Sequence, residues 1–220
     1  MPPPSPHAWL IGVELAFTII TVILCFLIYY KTRDLYALTK HRGIHYFRKA
    51  FLFFGLSYVF RFGFAVFRAT QIAFDFFISR NFAAPFFILP LGYFSTIGIF
   101  YLIFSSQWKR FKSKNIVFFG HGLAVILSVV SFLAHSHILL LALQCILLLV
   151  FIILTMTMHG EGRKLSKIKI LYFLVALLWL INLLVIGVRG PFPFEIDLFF
   201  QLVSILVFVV IYYRLSKWLK

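Results

Sequence analysis

Seven apolar stretches, each long enough to cross a bilayer, fill almost the whole chain, and the basic residues collect in every second gap between them. An α-helix needs ~20 residues to cross the ~30 Å hydrocarbon layer. The stretches run over Ala8–Tyr30, Ala50–Ala69, Pro85–Phe104, Ile116–Ala134, Ile138–Met158, Ile170–Val188 and Leu198–Tyr213. A helix satisfies its own backbone hydrogen bonds inside lipid, where water is absent. The pattern therefore predicts an all-α, seven-helix transmembrane bundle. The gaps are too short for a further folded unit, so residues 1–220 read as one domain.

Composition excludes a water-soluble alternative. The chain is 63% hydrophobic and 12% charged, and its mean hydropathy is +1.02. A core built from 220 residues cannot hide that much apolar surface.

Charge placement sets an expected orientation. Lys31, Arg33, Lys40, Arg42, Arg48 and Lys49 follow the first stretch, and Lys109, Arg110, Lys112 and Lys114 the third. Arg163, Lys164, Lys167 and Lys169 follow the fifth, and Arg214, Lys217 and Lys220 end the chain. The positive-inside rule assigns this side to the cytoplasm, with the N-terminus outside and the C-terminus inside a cell membrane. Spread along a membrane surface, a net charge of +15 points to anionic lipid headgroups as partners and not to nucleic acid. The opening Met-Pro-Pro-Pro-Ser-Pro-His carries no positive n-region, so the first span is expected to stay as an anchor. Cys25 and Cys145 fall at different depths, which argues for two packing residues rather than a disulfide.

The segment from Lys31 to Lys49 mixes charge with Leu35, Leu38, Ile44 and Phe47. It reads either as a short interfacial helix broken at Gly43 or as a basic linker. His41 and His45 have i, i+4 spacing, but no carboxylate or cysteine stands beside them, so no metal site is expected.

Ionisable groups inside lipid cost at least ~2.5 kcal/mol each at the membrane centre, so Glu14 and Arg61 need a reason to be there. Counted from the same end, Glu14 lies ~9 Å down the first helix and Arg61 ~13 Å down the second. An arginine side chain bridges that difference, which predicts an ion pair. Polar residues also recur on single helix faces: Thr18, Thr21 and Cys25 after Glu14; His121, Ser128, Ser131 and His135; Trp179, Asn182 and Arg189; Asp197, Gln201 and Ser204. They concentrate in the outer halves of the spans, whereas the inner halves are dominated by Leu, Ile, Val and Phe. That asymmetry suggests an outward-facing cavity lined by Glu14, Arg61, Arg68, Gln144, Asn182, Asp197 and Gln201. The competing reading is that these side chains only hold helices together.

Motifs of intramembrane chemistry are missing. The chain has no His-Glu-x-x-His, no Gly-x-Ser-Gly, and no lysine midway along the seventh span for a retinal Schiff base. Neither an enzyme nor a cofactor or metal is expected. Seven-helix receptors and sensor modules share the layout, but no Asp-Arg-Tyr-like triplet follows the third span and no Asn-Pro-x-x-Tyr lies in the seventh, so the likeness is architectural. The sequence favours a receptor-like or sensory membrane protein binding a small polar or anionic ligand from outside. A small-molecule transporter, or a structural or assembly subunit with a membrane-protein partner, are the alternatives.

Overall fold

The structure, a computed structural model, describes residues 6–74, 80–111, 115–134, 137–157, 167–187 and 194–218. Seven helices follow in chain order: α1 (Pro6–Thr39), α2 (Arg42–Ala73), α3 (Arg80–Ser106), α4 (Asn115–Leu133), α5 (His137–Met156), α6 (Lys167–Gly187) and α7 (Phe194–Trp218). They run up and down. The second half of α1 meets the start of α2 through Tyr29 and Arg48, while Glu14 near its beginning meets Arg61 further along α2. α1, α2 and α3 pack side by side, α4 covers α3 and α5, and α6 and α7 close the bundle back onto α1.

The outside of this bundle is hydrocarbon. Gly12–Thr39, Arg42–Gln71, Pro85–Ser106, Asn115–Leu133, Ile138–Met156 and Glu195–Lys217 are each long and apolar enough to cross a membrane, and Lys169–Leu183 is a shorter apolar segment of α6. Only 22% of the apolar window of α4 is buried, and Phe118, Phe119, Leu123 and Ile126 point outward. Such a surface is stable against lipid and not against water.

Inside, α2 supplies a column of aromatic rings. Phe51 packs edge-on against Phe54 and Phe208, and Phe54 stacks on Trp179 with centroids 4.1 Å apart. Phe47 and Phe151 close on Tyr172. Gly98 lets α3 approach this column: a Cβ there would collide with the Phe54 ring.

Two expectations change on meeting the structure. The segment after the first span is neither a linker nor a helix broken at Gly43. α1 continues through the basic residues to Thr39, and the break is Lys40–His41, where Lys40 takes a left-handed φ of 50°. Gly43 lies inside the first turn of α2 because of close packing: a Cβ would sit 3.0 Å from the His41 ring and 3.1 Å from Trp108. Secondly, the basic end is not purely apolar inside. Ser105 donates to the Gly43 carbonyl at 2.7 Å and shares a 2.7 Å hydrogen bond with Tyr172, while Gln107 donates to the Leu154 carbonyl at 2.6 Å. These bonds tie the ends of α2, α3, α5 and α6 together. The expectations at His135 and Arg189 lie outside the described residues.

Candidate functional site

Glu14 and Arg61 face each other between α1 and α2, with Arg61 Nε 3.7 Å from Glu14 Oε1. The Arg61 side chain is buried, and its guanidinium carbon lies 5.6 Å from the Phe17 ring centroid and 5.9 Å from that of Tyr58. A cation buried without a carboxylate costs several kcal/mol. The neighbouring rings add the attraction of their π faces.

One turn along α2, Tyr58 donates its hydroxyl hydrogen to Asn182 Oδ1 on α6. Asn182 in turn donates to the Leu178 carbonyl at 2.8 Å and to Ser204 Oγ on α7 at 3.1 Å. Gln201 follows one turn away on α7 and is buried. The ion pair, Tyr58, Asn182, Ser204 and Gln201 thus form one polar layer joining α1, α2, α6 and α7, with the aromatic column next to it. Two nine-tenths-buried atoms in and beside this layer, Gln201 Oε1 and Trp179 Nε1, have no hydrogen-bond partner among the described residues. A buried acceptor or donor left this way costs ~1–3 kcal/mol.

The remaining residues marked by the sequence lie elsewhere. Gln144 is buried between α3 and α5, donating to Ser95 Oγ at 2.6 Å and Thr96 Oγ1 at 3.2 Å. Arg68 is exposed, two turns beyond Arg61, and Asp197 is half-buried in the first turn of α7. Thr18 and Thr21 turn back on their own helix, bonding the Glu14 and Phe17 carbonyls at 2.9 and 2.8 Å. Ser128 does the same with the Ala124 carbonyl at 2.8 Å. Cys25 and Cys145 are both free thiols.

The tyrosines were missing from the sequence reading. Tyr58 and Tyr172 sit in apolar runs and count as aromatic packing. The available signal was chemical: a phenol inside a span must find a hydrogen-bond partner.

An all-α bundle with an apolar outer surface and ionised groups paired within it is a multi-pass membrane protein. Its chain is similar to an uncharacterized protein of Archaeoglobus fulgidus, with 28% identity over 223 residues covering 99% of this chain and 97% of that one. No protein-family model and no solved structure matches it.

Proposed function

We propose that this is a seven-span, receptor-like or sensory membrane protein that binds a small polar or anionic ligand in the Glu14/Arg61/Asn182/Gln201 layer. The N-terminus is outside, the C-terminus cytoplasmic, and the layer opens to the outside. The observation that carries this reading is the pair of unpartnered buried atoms, Gln201 Oε1 and Trp179 Nε1, in and beside the layer that holds the ion pair. A ligand offering a donor and an acceptor satisfies both, and Arg61 supplies positive charge. Asp197 and Arg68 stand towards the mouth. The column of Phe51, Phe54 and Phe208 keeps the other half closed, which favours sensing over transport. The basic end contacts anionic headgroups or a membrane-protein partner.

A structural or assembly role is the second reading. It is supported by Gln144, which donates to Ser95 and Thr96 on α3, and by Asn182, which accepts from Tyr58 on α2 and donates to Ser204 on α7.

Single cysteines distinguish these readings. Probes at Gln201 and Asn182 should react with a membrane-impermeant thiol reagent added outside, and probes at Phe208 and Val175 from neither side. Reaction at all four from both sides would indicate a hydrated path and a transporter. Reaction at none would leave the structural role.

A further inference from the structure

A second polar group lies on a different face, where α4 crosses α3. Tyr93 OH is 2.7 Å from His121 Nδ1, and Tyr101 OH is 3.1 Å from His121 Nε2. Tyr101 is 2% exposed, whereas Tyr93 and His121 are half-buried.

The hydrogen inventory of this triad leaves a surplus. A neutral imidazole has one N–H donor and one acceptor nitrogen, and each phenol has one O–H. Whichever nitrogen carries the hydrogen, one bond uses the imidazole N–H and the other uses one phenolic O–H. The second phenolic O–H then has no acceptor in the triad. Stranding it on Tyr101 would bury an unsatisfied donor. The favoured arrangement has Tyr101 donating to Nε2 and Nδ1–H donating to Tyr93, so the surplus hydroxyl hydrogen belongs to Tyr93 on the more open side.

Depth decides what can accept it. Within the span Pro85–Ser106, Tyr93 lies ~12 Å from the Pro85 end and ~20 Å from the Ser106 end at the helical rise. That is inside the hydrocarbon, away from phospholipid esters and phosphates, and lipid tails carry no acceptor. The acceptor has to arrive on a molecule that dissolves in the hydrocarbon. Beside Tyr93, the half-buried rings of Phe60, Phe94 and Phe53 form a near-parallel ladder with centroids 5.5 and 6.0 Å apart, closed at its far end by the buried Tyr101 ring, which stacks on Phe53 at 5.2 Å. The Phe53 ring also meets His121 edge-on at 5.8 Å. A flat conjugated head packs against such rings.

We propose that Tyr93, His121 and the Phe53/Phe94 rings form an intramembrane site for a lipid-soluble quinone, one carbonyl oxygen accepting the Tyr93 hydroxyl hydrogen. A quinone has the required chemistry: planar, apolar enough for the bilayer core, with acceptors and no donor. The site is separate from the Glu14/Arg61 layer and stands or falls independently of it.

The test uses the full chain in lipid nanodiscs with 2,3-dimethyl-1,4-naphthoquinone, whose blocked ring does not alkylate thiols, and 2,3-dimethylnaphthalene as its carbonyl-free counterpart. The quinone should bind saturably and more tightly than the hydrocarbon, and its infrared carbonyl band should move to lower wavenumber. Tyr93→Phe should raise Kd roughly tenfold, the loss of one hydrogen bond, and remove the band shift. Tyr213→Phe, at an exposed ring, should bind as the wild type. Equal binding of the hydrocarbon, an unshifted carbonyl band, or wild-type affinity in Tyr93→Phe would overturn the proposal. If Tyr93→Phe does not fold, the first two results on the wild-type chain still decide it.

Discussion

Arg61 on α2 and Glu14 on α1 form an ion pair inside the bundle, 3.7 Å apart and flanked by the rings of Phe17 and Tyr58. Removing one partner leaves the other charged and buried. Glu14→Gln and Arg61→Gln should each lower stability by about 3 kcal/mol, and the double substitution should recover part of that loss. Thermal unfolding of the four proteins in one detergent measures the coupling. Simply additive losses would mean that the pair contributes nothing.

Tyr58 and Asn182 couple α2 to α6. Tyr58→Phe should cost about 1 kcal/mol, because it removes one buried hydrogen bond and leaves the ring packing intact. Asn182→Leu should cost more, since the contacts to both Tyr58 and Ser204 are lost. The same unfolding assay ranks them, and an equal or reversed order would contradict the layer as described.

Glycine positions separate close packing from open lipid. Gly98→Ala forces a Cβ into the Phe54 ring and should destabilise by about 1–3 kcal/mol. Gly122 has nothing within 4 Å of its Cβ direction, so Gly122→Ala should be neutral or stabilising by up to about 1 kcal/mol through helix propensity. A loss at Gly122 as large as that at Gly98 would show that α4 packs on something there.

The proposed orientation rests on basic residues gathered at one end of the bundle: Lys31, Arg33 and Lys40 late in α1 and just beyond it, Arg42, Arg48 and Lys49 early in α2, Lys109 and Arg110 after α3, and Arg214 and Lys217 late in α7. A reporter active only in the cytoplasm and fused after Lys220 should be active. Activity only of an external reporter at that position would reverse the topology.

Hydropathy made the helices legible, since a span needs little more than length and apolar composition. The Glu14–Arg61 pair was legible because a charge in lipid must find its opposite. The extent of α1 was not: Lys31, Arg33 and Asp34 look like loop, yet they continue the helix to Thr39. The burial of Asn182 was visible, but its partner Tyr58 lies 124 residues away, and no local pattern links them. Ser105 and Gln107 escaped notice because short polar side chains near a span end look like ordinary surface, whereas both are buried in ties between helices. The Tyr93–His121–Tyr101 triad was hidden for a related reason, since hydropathy counts a phenol as a ring and ignores its hydroxyl.

On the proposed function, water reaches the polar layer of Glu14, Arg61, Tyr58 and Asn182 from one side and does not reach the aromatic column of Phe51 and Phe208. Hydroxyl-radical footprinting in native membranes reads this directly, because radicals formed in bound water oxidise the adjacent aromatic rings. Tyr58 should be oxidised, and Phe51 and Phe208 should be protected. Oxidation of Phe51 and Phe208 to the same extent as Tyr58, or no oxidation of Tyr58, would contradict it.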